Sequence, residues 1–289
     1  MKPTIWILGG HGLIGEALKK VIHHQDMLFK VPTRAEFELG RSDHLVLSKN
    51  DFIIDLIPSP APRIFPGLSY EEYHLRFIKP HLEFIQRSVR AGIKKYIYVS
   101  SGGSIYGRTD NQTPLTEKDI LNPVSYYGMA KKLEEETLIY QSLANKSAFL
   151  ILRPSNVFNS DTRSLRQTGL IGILKTKFEN KEPIDLLGPV SIAKDYIANS
   201  DVAEAILSAI RSEHSGIYNI GSGRTYTIGE IVSAFEKSFQ FVAIKNQRPM
   251  LDNDVPWFCL DTKKAHSELN FKAQVDVIHW IESNTNPQS

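Results

Sequence analysis

The chain is poor in cysteine, in net charge and in long apolar runs. Its one cysteine, Cys259, cannot form an internal disulfide, which is typical of a protein of the reducing cytoplasm. The 34 basic and 32 acidic side chains leave too little net charge to indicate nucleic-acid binding by bulk electrostatics. No apolar run reaches the roughly 20 residues of a membrane-spanning helix, and residues 4–8 are also too few for a signal-peptide core. These absences predict a cytoplasmic protein with no nucleic-acid partner and no membrane partner.

The first half of the chain alternates short apolar runs with amphipathic stretches. We predict strands at residues 4–8, 27–32, 51–57, 95–100 and 147–153, and helices at residues 13–23, 73–90 and 126–141. Pro80 is expected to bend or divide the second helix. Strands that alternate with helices predict an α/β fold of the Rossmann type. In such a fold a doubly wound parallel sheet binds its ligand at the carboxyl ends of the strands.

The second half of the chain has shorter elements and more Asn, Ser and Gly. Helices are predicted at residues 170–178, 201–211, 228–239 and 262–269, with short strands between them. This change in texture predicts a smaller C-terminal α/β lobe. We place the boundary near residue 154 and expect the chain to cross between the two parts more than once.

A glycine-rich turn, GGHGLIG at residues 9–15, directly follows the first predicted strand. It matches GxGxxG through Gly10 and GxxGxxG through Gly9. Glycine lets the backbone approach a pyrophosphate at the N-terminus of the next helix, where N–H groups favour anions. The strand before and the helix after favour a dinucleotide site over an ordinary turn. The residues expected to contact the cofactor here are Gly9, Gly12, Leu13, Ile14 and Gly15.

The end of the second predicted strand bears on the choice of cofactor. An acidic residue about 20 positions after the turn usually binds the adenosine ribose of NAD, but Thr33 and Arg34 stand there instead. Arg34 would pair with the 2′-phosphate of NADP(H), which we favour over NAD(H). The alternative is that Arg34 faces solvent and that Glu36, or no side chain, contacts the ribose.

Tyr127 and Lys131 are four residues apart in a predicted helix, within the string YGMAK. Residues at i and i+4 share one face of a helix, so the phenol and the ammonium would face one pocket. A nearby cation favours the phenolate and suits a tyrosine to proton exchange. Alone, the pair would be read as a polar pair on a surface helix. Together with the glycine turn, it predicts a catalytic pair.

The ordered motifs of the chain are similar to those of the extended short-chain dehydrogenase/reductase family, in its nucleotide-sugar epimerase, dehydratase and reductase branch. The resemblance spans nearly the whole chain. It is carried by GGHGLIG, YVSSGGSIYG, YGMAK, LRPSNVF, KDYIANSDVAEAI, GIYNIGSG and RPMLDNDVPWFCLDTKKAHSEL. It implies an NAD(P)-binding Rossmann domain at residues 1–154 and a nucleotide-sugar-binding lobe at residues 155–289.

The resemblance also implies roles for individual residues. Tyr127 would exchange a proton with a sugar oxygen, and Lys131 would hold the nicotinamide ribose and favour the Tyr127 phenolate. Asn156, Lys194 and Arg248 would contact the substrate diphosphate. From the residues alone, the alternatives are that Asn156 satisfies a turn, that Lys194 is a solvated strand end and that Arg248 is an exposed loop residue. We favour the binding role for Asn156 and Arg248 and leave Lys194 open.

The chain departs from the family pattern at two places. Gly102 stands where the family has a hydroxyl that assists the tyrosine, so Ser101 or Ser104, the substrate or a water would have to replace it. Gly103 and Ser104 also replace an Asp-Glu pair of the family's 4,6-dehydratases, which argues against that reaction. The second departure is the absence of an asparagine near Phe77.

Three functions follow from this pattern. We favour an NADPH-dependent 4-keto-sugar reductase that acts at C4 of a nucleotide-activated hexose. A redox-neutral 4-epimerase with tightly held NAD is the alternative, and a non-catalytic NADP-binding regulator is the third. The resemblance further implies a homodimer formed through the helices at residues 73–90 and 126–141. The histidines show no spacing typical of a metal site.

Overall fold

The computed structural model describes residues 3–23, 28–33, 46–58, 68–108, 111–161, 169–250 and 254–284. Its strands are β1 Ile5–Leu8, β2 Phe29–Lys30, β3 Phe52–Asp55, β4 Lys95–Val99, β5 Ala148–Pro154, β6 Asn156–Phe158, β7 Ile184–Leu187, β8 Ala193–Ala198, β9 Gly216–Ile220, β10 Thr225–Thr227, β11 Lys245–Arg248 and β12 Trp257–Phe258. Its α-helices are α1 Leu13–His23, α2 Tyr70–Tyr73, α3 Lys79–Arg90, α4 Gly102–Ile105, α5 Tyr126–Asn145, α6 Gly169–Glu179, α7 Asn199–Arg211, α8 Ile228–Phe239, α9 Lys263–Leu269 and α10 Val277–Asn284.

Six strands form one parallel sheet in the order β2-β1-β3-β4-β5-β9. The chain leaves β1 for β2 on one side and then crosses to β3 on the other side. The winding direction therefore reverses between β1 and β3. In open α/β sheets the ligand binds at the carboxyl edge beside such a point. The predicted Rossmann-type α/β fold is confirmed.

Helices cover both faces of this sheet. On one face α1 packs against α7, over a core that includes Leu18 and Ile206. On the other face α3 packs against α5, over a core that includes Phe84 and Leu138. Alternate residues of β4 enter the two cores. Because both faces are buried, these strands are continuously apolar and do not alternate with polar residues.

The smaller C-terminal part has its own core. β8 pairs with β10 in the antiparallel direction and with β6 and β12 in the parallel direction, while β7 pairs with β11. α6, α8 and α10 pack here, and the rings of Phe178 and Phe235 stack with their centres 5.4 Å apart. β9 nevertheless lies in the large sheet, although it follows residue 154 by 62 positions of chain (216 − 154). The domain boundary itself stays a prediction.

The helical segment before β4 is divided near Pro80. A π-helical turn, His74–Ile78, joins α2 to α3. Pro80 lies in the first turn of α3, where its missing N–H leaves no intrahelical hydrogen bond unmade. The predicted division of the helix over residues 73–90 is confirmed.

Three elements differ from the prediction in extent. β2 is only two residues long within the described part of the chain. α5 continues past residue 141 to Asn145 and ends at Lys146, whose φ is +53°. α10 was not predicted; it places the indole of Trp280 5.4 Å from the ring of Phe158. The apolar residues of α10 become visible as one face only when the helix is seen packed on the core of the C-terminal part.

Candidate active site

The glycine turn follows β1 directly and opens α1. Gly9 has a φ of +71°, and a Cβ there would lie 2.6 Å from the carbonyl oxygen of Leu56. A Cβ at Gly15 would lie 2.4 Å from the Cα of Gly10. Both positions therefore need glycine, the first for its left-handed backbone and the second because α1 approaches its own turn.

Gly12 is less crowded than the other two glycines of the motif. A Cβ there would meet only the carbonyl oxygen of Gly9, at 3.2 Å, and the Gly12 N–H donates to that oxygen over 2.9 Å. The N–H groups of Leu13, Ile14 and Gly15 belong to the first turn of α1 and have no acceptor within the helix. These groups and the positive end of the helix dipole fit the pyrophosphate of a dinucleotide.

The side chains considered for the adenosine ribose, Arg34 and Glu36, lie outside the described residues. The structure reaches Thr33, which is exposed shortly after β2. The preference for NADP(H) over NAD(H) therefore stays a prediction.

Tyr127 and Lys131 lie in the first two turns of α5. Ser125 caps this helix, because its Oγ accepts a hydrogen bond from the N–H of Gly128 over 3.1 Å. The Nζ of Lys131 lies 5.9 Å from the centre of the Tyr127 ring. Tyr127 is partly exposed, whereas Lys131 is buried. The helical spacing thus places a partly exposed tyrosine beside a buried lysine.

The ammonium of Lys131 is surrounded by oxygen atoms. It donates to the hydroxyl of Tyr98 over 2.8 Å and to the carbonyl oxygen of Ile57 over 3.4 Å. The Oε2 of Glu134 lies 3.5 Å away. Burial opposes the positive charge, but Glu134 and Tyr127 raise the pKa of Lys131 above its usual value. Lys131 is therefore a charged ammonium at neutral pH.

The backbone of Leu56 and Ile57 connects the two halves of the site. The Leu56 carbonyl faces Gly9, and the next carbonyl, that of Ile57, accepts the hydrogen bond from Lys131. Both residues come directly after β3, at the carboxyl edge of the sheet. The glycine turn and the Tyr127–Lys131 pair therefore meet at the same edge.

His81, on α3, lies between two carboxylates behind Lys131. Its Nε2 is 2.7 Å from Asp55 Oδ2, and its Nδ1 is 2.8 Å from Glu134 Oε1. Tyr96 donates to Asp55 Oδ2 over 2.5 Å, and Tyr98 donates to Glu134 Oε2. All five side chains are fully buried.

Sequence reasoning missed this buried cluster. One signal was present, since Asp55 ends the apolar strand FIID and a carboxylate buried there needs a partner. Its partner His81 lies 26 residues further along the chain, and Glu134 lies a further 53 residues on. Only the packing of α3 and α5 on the sheet shows that they meet.

Position 102, where a hydroxyl was expected, is a buried glycine at the start of α4. A Cβ there would lie 3.1 Å from the carbonyl oxygen of Pro154 and 3.2 Å from that of Arg153. The Oγ of Ser101 donates to the Oγ of Ser104 over 3.3 Å. The two serines considered as replacements therefore contact each other.

α4 rests directly on the start of α5. A Cβ at Gly128 would lie 2.3 Å from the carbonyl oxygen of Ser104 and 2.8 Å from the Cβ of Pro123. No side chain fits at position 128. This contact places the backbone of Ser104 against the residue that follows Tyr127.

Asn156 lies at the start of β6, beside α4. Its Nδ2 donates to the carbonyl oxygen of Asp195 over 2.9 Å. Its Oδ1 would lie 3.3 Å from a Cβ at Gly103. The side chain therefore has a structural hydrogen bond and also borders the helix that contacts α5. Its role with substrate stays a prediction.

Lys194 and Arg248 lie on different strands and already have acidic partners. Lys194, on β8, donates to Asp254 Oδ1 over 3.1 Å and to the carbonyl oxygen of Val255. Burial lowers the pKa of Lys194, although Asp254 acts in the opposite direction. Arg248, on β11, is exposed and donates from Nε to Asp185 Oδ1 over 3.3 Å. Neither hydrogen-bond partner lies on α4 or α5.

Two negative findings apply to the described part of the chain. Every helix there is too short or too polar to cross a bilayer. Within the same residues, no group of three or more His, Cys, Asp and Glu side chains has an arrangement that would hold a metal ion.

The sequence model of the NAD dependent epimerase/dehydratase family matches residues 71–221. Among curated proteins, dTDP-4-dehydro-6-deoxyglucose reductase of Escherichia coli is 31% identical over 300 aligned residues. The alignment covers 95% of this chain and 94% of that protein.

Solved structures share the fold. UDP-glucose 4-epimerase of Thermotoga maritima, solved with UDP-glucose, superposes with a TM-score of 0.84 at 22% identity, covering 98% of this chain and 97% of that one. RMD of Pseudomonas aeruginosa, solved with NADPH, gives 0.82 at 18% identity, with 98% of each chain covered. At these identities the likeness is one of fold.

Proposed function

Since the chain belongs to the NAD dependent epimerase/dehydratase family, we propose that it is an NAD(P)-dependent oxidoreductase acting at C4 of a nucleotide-activated hexose. The reaction we favour is the reduction of a 4-keto sugar, and the name of the Escherichia coli relative supports this choice. The observation that carries the proposal is the junction at Leu56 and Ile57, whose successive carbonyls contact Gly9 and Lys131. A cofactor on the turn and a proton donor on α5 would meet there.

Reduction of a ketone at C4 requires a hydride on the carbon and a proton on the oxygen. A nicotinamide cofactor, when bound, supplies the hydride. Tyr127 gives the proton to the C4 oxygen, because it is the partly exposed member of the pair. Lys131 stabilises the phenolate that remains, and it would hold the ribose next to the nicotinamide. A positioned proton donor contributes roughly 10²- to 10⁴-fold to a rate.

The hydroxyl missing at Gly102 is assigned to Ser104 in this proposal. Ser104 borders the residue after Tyr127, and Ser101 orients its hydroxyl by a hydrogen bond. A Ser104→Ala variant should therefore lose turnover. Unchanged turnover would assign the role to Ser101, to the substrate or to a water.

We assign the substrate diphosphate to Asn156, Lys194 and Arg248, with the C-terminal lobe at residues 155–289 as the nucleotide-sugar-binding part. The two cations are paired with Asp254 and Asp185, so a diphosphate has to replace these carboxylates. Such an exchange of one anion for another keeps each cation paired. Charge-assisted contacts to phosphate supply binding energy that orients the sugar.

The direct test is turnover with a panel of 4-keto nucleotide sugars that differ in nucleotide and in sugar. Oxidation of NADPH coupled to a new alcohol at C4 is the expected result, and Tyr127→Phe should reduce it by roughly 10²- to 10⁴-fold. No NADPH oxidation with any member of the panel would overturn the reductase proposal. A protein in which Tyr127→Phe changes nothing, while cofactor binding persists, would act as a regulator and not as an enzyme.

A redox-neutral 4-epimerase is the second candidate. A curated relative named as a putative UDP-glucose 4-epimerase, from Methanocaldococcus jannaschii, is 30% identical over 200 residues and favours it. It is distinguished by interconversion of gluco- and galacto-configured nucleotide sugars without added cofactor. Mass spectrometry of small molecules that co-purify with the native protein would identify a tightly held NAD in that case.

For the cofactor, we propose NADP(H) over NAD(H) on the basis of Arg34. An Arg34→Ala variant should lose affinity for NADPH and keep its affinity for NADH, because the lost charge pairs only with the 2′-phosphate. Equal loss for both cofactors would contradict this assignment.

We also propose a homodimer formed through α3 and α5. Large apolar side chains are exposed on the π-helical turn before α3, namely Leu75, and on α5, namely Met129, Tyr140 and Leu143. Contiguous exposed apolar surface is typical of an association face. A cytoplasmic location likewise stays a prediction.

A further inference from the structure

Four charged side chains follow one another through the core from α5 to the end of β3. The ammonium of Lys131 lies 3.5 Å from Glu134, Glu134 lies 2.8 Å from His81, and His81 lies 2.7 Å from Asp55. Their side chains are at most 2% exposed. The signs of the four charges alternate if the histidine carries a proton on each ring nitrogen. We call this row of Lys131, Glu134, His81 and Asp55 the charge chain.

The hydrogen bonds determine where the protons are. Asp55 faces donors on both oxygens, since Oδ1 accepts from the N–H of Ile57 and Oδ2 accepts from Tyr96 and His81. If this carboxyl group were protonated, its O–H would point at another hydrogen-bond donor, so we infer that Asp55 is ionised. An ionised carboxylate only accepts, so the His81 Nε2 that contacts it must carry hydrogen.

The same count applies to Glu134. Its Oε1 contacts the Nδ1 of His81, and its Oε2 accepts from Tyr98. The Tyr98 hydroxyl accepts from Lys131, so its own proton is free to go to Glu134. Burial opposes a charge on Glu134, but His81 and the Lys131 ammonium, 3.5 Å from Oε2, lower the pKa of Glu134 to about 2. Glu134 is therefore an ionised acceptor as well, and the second nitrogen of His81 must also donate.

We propose that His81 is an imidazolium at all physiological pH values and acts as a positioning residue, because it holds Glu134 and Tyr98 in the arrangement that presents the Lys131 ammonium to Tyr127. The catalytic part of this inference rests on the proposed function, while the protonation state does not. With four charges the buried cluster is neutral. Without the imidazolium charge, two carboxylates would face one ammonium.

In the described part of the chain, the charged groups in direct contact with His81 are the carboxylates of Asp55, at the end of β3, and Glu134, on α5, and the ring of Tyr98, on β4, packs beside it. Tyr96 contacts Asp55 and Lys131 contacts Glu134, so both lie one contact further away. Burial alone would lower the pKa of His81, but Asp55 and Glu134 raise it to about 10. The phenols of Tyr96 and Tyr98 stay protonated, because burial and the two carboxylates raise their pKa values.

Loss of the imidazolium charge has a defined consequence at the catalytic pair. In His81→Gln, an amide replaces the ring and the core keeps a net negative charge. That charge opposes the negative charge that develops on the Tyr127 oxygen during proton transfer, and it draws the Lys131 ammonium toward Glu134. The pH dependence of kcat should shift to higher pH, while KM changes little, because His81 touches no part of the proposed substrate site.

The protonation state is tested on the unmodified protein by NMR of histidine-labelled chain. Of the nine histidines, His81 should show two slowly exchanging ring N–H protons and imidazolium nitrogen shifts that do not change between about pH 6 and about pH 8.5. A His81 ring that titrates in this range, or that carries a single N–H, would overturn the inference. This measurement needs no substrate, so it is independent of the proposed function.

The positioning role is tested by kinetics of three variants. His81→Gln should lower kcat by about tenfold or more with KM within about twofold of the unchanged protein, a pattern typical of an effect on the transition state. His81→Lys restores a buried positive charge and should bring the pH profile back toward that of the original protein. His266→Gln, at an exposed histidine of α9, should have no effect. A His81→Gln enzyme with the original kcat and pH profile would remove the positioning role.

Discussion

A second buried ion pair, between Glu135 and Arg153, gives the sharpest stability prediction. The guanidinium of Arg153 donates to Glu135 from Nε over 3.1 Å and from NH2 over 2.6 Å, and its NH1 donates to Tyr106 over 2.8 Å. Both side chains are at most 2% exposed. The pair joins α5 to β5, so it fixes the helix that carries Tyr127 and Lys131 to the sheet.

Glu135→Gln removes the negative charge and keeps the volume of the side chain. Arg153 then remains buried without a counter-charge, and burial opposes its positive charge. Removal of one partner of a buried ion pair costs about 3–5 kcal/mol. We expect a loss of that size in the free energy of unfolding, measured by urea denaturation.

The adjacent residue provides the control. Glu136 is 58% exposed, and its Oε1 lies 4.0 Å from Lys132. Because exposed pairs contribute little, Glu136→Gln should cost less than about 1 kcal/mol. If Glu135→Gln cost no more than its neighbour, the buried pair would not stabilise the fold as argued.

Three further predictions concern the turn, the charge chain and the proposed dimer. Gly9→Ala should lower the stability of the cofactor-free protein by about 1–2 kcal/mol or more, because an L residue is strained at positive φ. Gly12→Ala should leave stability nearly unchanged but weaken dinucleotide binding by about tenfold or more, measured by titration. Tight binding by Gly12→Ala would contradict our assignment of the pyrophosphate. The pKa of Glu134 is lowered to about 2, so the stability that Glu134 contributes is lost as pH falls below about 4.5. The pKa of His81 is raised to about 10, so the stability that His81 contributes is lost as pH rises from about 6.5 toward 10. Each loss amounts to at most about 1.4 kcal/mol per pH unit. Urea denaturation across pH checks both slopes, and His81→Gln should abolish the alkaline one. Tyr140→Lys should yield a monomer by light scattering, and an unchanged mass would place the association face elsewhere.

The sequence was sufficient for the fold and the family because both rest on local patterns. Continuous apolar runs predicted the buried parallel strands, and the glycine turn between β1 and α1 lies where the motif indicated. Pro80 predicted the division of its helix because proline acts on its own backbone. These features need no knowledge of distant contacts.

The buried charges were not predictable in the same way. Asp55 reads as a polar interruption of an apolar strand, and His81 reads as one of several helical histidines. Their roles become clear only when β3, α3 and α5 pack together, and no local sequence pattern predicts that packing. Lys194 and Arg248 were placed by resemblance, and their acidic partners Asp254 and Asp185 became visible only in the structure.

The bare backbone contact between Gly128 and the Ser104 carbonyl has a practical consequence for engineering. Main-chain atoms set the distance between α4 and α5, so side chains around the proposed site can be exchanged without moving the start of α5, which carries Tyr127. Libraries aimed at new sugars should therefore vary the pocket walls and leave this glycine untouched. A substitution there would push α5 away from α4, because any side chain at position 128 would clash with the Ser104 carbonyl.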